Sequence, residues 1–135
     1  MKNSLTMIMT AAVILSCPLA ATAAGKTEEV KFKAGATSAT IKGSIKGDND
    51  VSYVLKANAG QVMSILFSPS NASCYFNVLP PGSDEAIHIG SSAGNEFGGT
   101  LAESGAYTAQ VYLMRNAARR NETCNYSITF EIAVE

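Results

Sequence analysis

Two stretches decide the fold class: Tyr107-Thr108-Ala109-Gln110-Val111-Tyr112-Leu113-Met114 and Tyr126-Ser127-Ile128-Thr129-Phe130-Glu131-Ile132. Successive strand side chains point to opposite faces, so this strict alternation places an apolar face on a core. The pattern predicts neighbouring antiparallel strands, each with one face buried. Upstream, the same period of two recurs in shorter pieces. Val30 and Phe32 sit two apart, and Ile41, Gly43 and Ile45 alternate with Thr40, Lys42 and Ser44. Val51, Tyr53, Leu55 and Ala57 form another apolar face, whereas Gln61 to Ser68 is apolar enough to predict a strand buried on both sides. Cys74 to Leu79 is stopped by Pro80-Pro81-Gly82. Gly47-Asp48-Asn49-Asp50 and Asn58-Ala59-Gly60 read as turns. Gly90 to Gly99 is small and polar and reads as a long loop. Short strands between turn residues, without a long helical period, predict an all-β chain folded as a small antiparallel β-sandwich.

The N-terminus follows a different logic. Lys2 precedes an apolar stretch from Leu5 to Leu19, and Ala21-Thr22-Ala23 supplies small residues at the positions a signal peptidase reads. Residues 1–23 are expected to be a signal peptide, with cleavage after Ala23 or Ala24, and 24–135 a single β-sandwich domain. The apolar run is short for a membrane span, which takes about 20 residues. A retained anchor is the alternative, as is a lipoprotein, since Ile14-Leu15-Ser16-Cys17 faintly resembles a lipobox.

Export rewrites the charge and cysteine inventory. Losing Lys2 leaves nine cations against eleven carboxylates, a mildly acidic balance with no electrostatic basis for nucleic-acid binding. Cys17 leaves with the signal. Cys74 and Cys124 then remain in an oxidising compartment, where a disulfide is the first reading and two free thiols the other.

Catalytic chemistry finds little support. His88 is the single histidine, without Cys or His nearby at metal-ligand spacing. Gly98-Gly99 has no following Lys of a phosphate loop. Asp48-Asn49-Asp50 offers part of a calcium loop but lacks its glycine and distal glutamate, so a plain turn is the reading. No enzyme activity, cofactor or metal is expected. The uneven feature is arginine. Arg115, Arg119 and Arg120 are the chain's three arginines, all within the ten residues from Arg115 to Cys124. That segment has no strand character and reads as a long loop, often a functional one. Guanidinium groups pair bidentately with carboxylates, so a cationic tip on an acidic domain suits an anionic cleft. Alternatively, one of them folds back onto loop carbonyls or onto Glu122, with Arg119 the expected structural one and Arg115 and Arg120 the exposed ones.

The stretch Ser104-Gly105-Ala106-Tyr107, then Val111, then Arg115-Asn116-Ala117-Ala118-Arg119-Arg120-Asn121, then Tyr126-Ser127-Ile128 resembles the C-terminal half of bacterial periplasmic inhibitors of goose-type lysozyme. Gly25-Lys26, Val30-Lys31-Phe32, Ile45-Lys46-Gly47, Tyr53 and Gly60-Gln61 extend the resemblance upstream, densely near the arginines and sparsely in the middle. The resemblance implies a peptidase C-terminal-like (jelly-roll) β-sandwich, a periplasmic or secreted location, and goose-type lysozyme as partner. Arg115 and Arg119 match the family's arginine pair, which is implied to enter the acidic substrate cleft. Arg120 and Asn116 in the same motif, and Asp50 and Tyr53 in the matching turn, are the other expected contacts. That turn carries tyrosines in the family. Here it is Gly47-Asp48-Asn49-Asp50-Val51-Ser52-Tyr53, with one aromatic left.

The cysteine pair and the segment from Asn77 to Ala86 look more like a broader set of exported relatives that share the Met114–Arg120 motif. The triplets beginning at Asn71, Asn121 and Asn125 would accept glycans in a eukaryotic secretory protein and carry no such meaning in bacteria. Two other functions stay open. One is a cell-wall or carbohydrate-binding module stacking sugars on Tyr53, Tyr75 or Tyr112; the other is a structural accessory domain. A homodimer stays open too.

Overall fold

The computed structural model describes residues 25–134. The signal-peptide reading of 1–23, including Lys2 and Cys17, lies outside them. Two sheets pack face to face. The first holds β1 (Lys26–Glu29), β3 (Val51–Ala57), β8 (Gly105–Leu113), β5 (Cys74–Leu79) and β6 (His88–Ile89), in that spatial order. The second holds β2 (Ser38–Lys46), β9 (Thr123–Val134), β4 (Gln61–Pro69) and β7 (Glu96–Thr100). Two short helices, α1 (Gly90–Ala93) and α2 (Arg115–Arg119), lie in the connections. All strand pairs are antiparallel except β1 with β3, which run parallel from Lys26 opposite Val51 to Glu29 opposite Val54.

The predicted alternation is what fills the core. Tyr53 and Leu55 of β3, Phe76 and Val78 of β5, and Tyr107, Ala109 and Val111 of β8 face Met63 and Ile65 of β4 and Ile128 and Phe130 of β9. Gly43 shows how tightly the layers close. A Cβ there would fall 2.6 Å from Tyr126 Cζ. The missing side chain lets the Tyr126 ring lie against β2 while its hydroxyl meets that of Tyr53 at 2.7 Å inside the sandwich.

Several expectations need correction. The two decisive strands, β8 and β9, are not neighbours: β8 lies between β3 and β5, and β9 between β2 and β4. Alternation requires only one buried face, and facing each other across the core satisfies it as well as sharing a sheet. Strand β4 is buried on one face, with Leu66 50% exposed, because two-sided burial would need a third layer. The stretch from Gly90 to Gly99 is not a long loop. It forms α1 and then the edge strand β7, whose backbone pairs with β4 from Val62 opposite Thr100 to Leu66 opposite Glu96. Backbone pairing does not need large side chains, so composition hid this strand. His88 is a buried structural residue, stacked on Phe76 and with Nε2 3.0 Å from Gly94 O.

Candidate functional site

The arginine segment is also not a loop. Arg115–Arg119 is one turn and a half of helix, α2, carrying the chain from the first sheet across the end of the sandwich to the second. Ala117 and Ala118 are buried beneath it. Their small side chains let the helix backbone sit close to the core. With alanines inward, Arg115 and Arg119 fall four residues apart, the spacing that aligns side chains on one helix face. Both are exposed. Among the described residues neither makes a salt bridge or a side-chain hydrogen bond. Asn116 is exposed as well, with Oδ1 accepting from the Ala117 N–H at 2.9 Å. Against the expectation for Arg119, it is Arg120 that folds back: its Nε donates to Glu122 Oε2 at 2.6 Å.

Both ends of the helix are fixed by the segment between β4 and β5. At the start, the Met114 N–H donates to Ser73 O at 2.9 Å. At the end, Asn71 Nδ2 donates to Glu122 Oε1 at 2.9 Å and to Thr123 O at 3.3 Å. Ser70 and Asn125 exchange two further bonds, Ser70 N–H to Asn125 O and Asn125 N–H to Ser70 Oγ. Alongside these runs the Cys74–Cys124 disulfide, which joins the two sheets across a Cα separation of 6.3 Å. Asn71 and then Arg120 hold the Glu122 carboxyl below the usual carboxylate range. Sequence reasoning assigns no role to Asn71 or Ser73. Their signal is an Asx turn, in which Asn71 Oδ1 accepts from the Ser73 N–H immediately before Cys74.

The β2–β3 turn abuts the far end of the helix. The Gly47 N–H donates to Glu122 O at 2.9 Å. A Cβ on Gly47, at φ +62°, would fall 2.6 Å from Asn121 Oδ1. The two segments singled out in the sequence, 47–53 and 115–121, therefore form one continuous end of the sandwich. Their side chains do not all contribute to it. Tyr53 is 2% exposed and belongs to the core, so its place among the contact residues is withdrawn. Burial, reinforced by the hydrogen bond to Tyr126, pushes its phenol well above the ordinary range. Asp50 is half-buried, with Oδ2 accepting from Gln110 Nε2 at 2.9 Å. Tyr75 and Tyr112 are cross-strand partners outside the core, with ring centroids 6.4 Å apart.

Among the described residues no group of three or more His, Cys, Asp or Glu could hold a metal, and no helix is long and apolar enough to cross a membrane. The two-sheet sandwich is shared with a pre-peptidase C-terminal domain. The pre-peptidase C-terminal domain of a Bacillus anthracis collagenase superposes with a TM-score of 0.51 at 17% identity, over 80% of this chain and 93% of that one. No family profile matches the chain.

Individual proteins are closer. The inhibitor of g-type (goose-type) lysozyme of Escherichia coli K12 is 34% identical over 129 residues, covering 90% of this chain and 93% of that protein. The crystal structure of the Aeromonas hydrophila periplasmic inhibitor of g-type lysozyme superposes with a TM-score of 0.75 at 37% identity, over 81% of this chain and 97% of that one. The Salmonella Typhimurium counterpart gives 0.61 at 30%, over 79% and 97%. The chain belongs to the family of periplasmic inhibitors of g-type lysozyme, whose members are inhibitors and not enzymes.

Proposed function

We propose that this protein inhibits a g-type lysozyme by presenting the Arg115–Arg119 face of α2 to the enzyme's substrate cleft. The observation that carries the mechanism is a difference among the three arginines. Arg120 is engaged with Glu122, while Arg115 and Arg119 stand exposed and unengaged on a helix pinned at both ends. Glycoside hydrolysis depends on carboxyl groups flanking the scissile bond, so the target cleft supplies the anions. Guanidinium forks pair with such carboxylates bidentately, and the helix blocks the groove where a glycan strand would lie. Because α2 is already ordered, less conformational entropy is lost on binding. Asn116 lies between the two arginines in sequence, and Arg120 follows them.

The test is lysis of bacterial cell walls followed by turbidity. The mature protein is mixed in turn with goose-, chicken- and invertebrate-type lysozymes. Protection is expected against the goose type, and its absence at micromolar protein overturns the proposal. A second reading, a glycan-binding face, draws on the Tyr75–Tyr112 pair, since aromatic rings stack on sugars. Retention on purified peptidoglycan, lost in Tyr112→Ala, is its test.

A further inference from the structure

We propose that cleavage of the signal peptide after Ala24 creates a structural ion pair: the new α-ammonium of Gly25 docks on the Asp50 carboxylate and locks strand β1 to the sheet. The proposal rests on the signal-peptide reading and on an unusual carboxylate. Asp50 Oδ2 accepts from Gln110, but Oδ1 is buried and has no hydrogen-bond partner among the described residues. Leaving a buried carboxylate oxygen unmatched is costly, so this atom calls for a donor. Lys26, whose backbone N–H meets Asp50 O, has its ammonium on Glu28 at 2.7 Å instead.

Gly25 lies beside this oxygen. A Cβ built on Gly25 would be 3.5 Å from Asp50 Oδ1. The Lys26 N–H donates to Asp50 O at 3.1 Å, fixing the chain direction there. Gly25, Lys26, Ser44, Asn49 and Asp50 line a small cleft at this point, with room for a solvated amine. The sequence places the cleavage motif, Ala21-Thr22-Ala23-Ala24, immediately before it. In the precursor this position carries a neutral peptide N–H. After processing it carries a full positive charge within one residue of the unmatched oxygen.

The fold gives the pair a purpose. Strand β1 has four residues, runs parallel to β3 and forms the edge of its sheet. Parallel pairing is slightly weaker than antiparallel, and chain ends fray unless tied down. Asp50 precedes β3 and reaches β8 through Gln110, so one carboxylate would join three neighbouring strands once the ammonium arrives. This assigns Asp50 to maturation and anchoring instead of partner contact.

The experiment uses protein processed in the periplasm. Intact mass must place the N-terminus at Gly25; any other end overturns the proposal through its signal-peptide premise. Thermal unfolding is then measured at pH 7 in a four-way cycle. One arm inserts Gly-Ser after Ala24, moving the ammonium away by about 7 Å, and the other is Asp50→Asn. The insertion should lower Tm by about 4 °C in the wild-type background and leave Tm unchanged in the Asp50→Asn background. Equal shifts in both backgrounds, or none in either, overturn the ion pair. Where Asp50→Asn fails to fold, NMR titration of the α-amine in the wild type decides. An amine titrating above its ordinary range of about 7.7–8.0 supports the pair, and one within that range overturns it.

Discussion

Removing the Cys74–Cys124 disulfide separates what orders the chain from what holds the arginine helix. The bridge closes a loop with a sequence separation of 50. The loop-closure relation then gives about 14 cal/mol/K of lost denatured-state entropy, or about 4 kcal/mol at 25 °C. With about 110 ordered residues at about 2.1 cal/mol/K each, the unfolding entropy is about 0.23 kcal/mol/K, and Tm should fall by about 15–20 °C. The perturbation is Cys74→Ala with Cys124→Ala, and the assay is thermal and urea unfolding alongside lysozyme inhibition at 25 °C. Inhibition should weaken less than tenfold, because the Ser73–Met114 and Asn71–Glu122 bonds still hold both ends of α2. A Tm loss below about 5 °C would refute the loop-closure reasoning. Complete loss of inhibition with the β-sheet circular-dichroism signal intact would refute the claim that those hydrogen bonds position the helix.

Three further outcomes follow from named contacts. Arg115→Ala and Arg119→Ala should each weaken inhibition by about 30- to 700-fold, the range for interface hot spots of about 2–4 kcal/mol, with little change in Tm. Arg120→Ala should cost little stability, as exposed ion pairs do, and weaken inhibition less than either; equal losses for all three arginines in the turbidity assay would remove the distinction between them. Tyr53→Phe leaves the buried Tyr126 hydroxyl without its partner and should cost about 1–3 kcal/mol in urea unfolding, while inhibition at saturating folded protein stays unchanged. The depressed Glu122 carboxyl contributes stability that is present above its unfolded value of about 4.3 and is lost as pH falls through its lower folded value. Acid unfolding of Glu122→Gln should therefore show a shallower decline below about pH 4 than the wild type.

The legible part of the fold is set by side-chain alternation. Tyr107 to Leu113 and Tyr126 to Ile132 declare which faces are buried, and Tyr53, Leu55, Phe76 and Phe130 follow the same rule into the core. What alternation cannot carry is which buried face meets which, and so β8 and β9 read as neighbours when they lie in opposite sheets. Strand β7 escapes notice because Gly98 and Gly99 have no side chains to pattern. Helix α2 escapes because five residues are too few to show a helical period, and because its helical state depends on tertiary bonds from Ser73 and Asn71. The arginine cluster itself is plain in composition. The separation of Arg120 from the other two is not, since it turns on whether Glu122 points toward the helix, and Asn71 decides that. Tyr53 misleads for a related reason: an aromatic next to a turn and an aromatic at an inward strand position read alike until the register is known.

Relative to the turn tyrosines that the resemblance implies for the family, the sequence here puts Asp48, Asn49 and Asp50 in the turn whose Gly47 meets the segment after α2. That exchange changes the kind of interface the end of the sandwich can make. Aromatic anchors bury apolar area, and their contribution depends weakly on salt. Guanidinium–carboxylate pairs at a partly wetted rim are screened over about 10 Å at 0.1 M salt. Asp48 is exposed on a turn whose Gly47 touches the helix end, so its charge opposes the approach of an acidic cleft. On the proposed mechanism, with fewer aromatic contacts and a nearby carboxylate, binding would rest more heavily on Arg115 and Arg119. Inhibition by this chain should therefore fall more steeply with ionic strength than inhibition by a relative bearing tyrosines in the turn. Asp48→Tyr should raise affinity and flatten that salt dependence together. A substitution that raised affinity while leaving the salt slope unchanged would show that the turn acts through shape and not through charge.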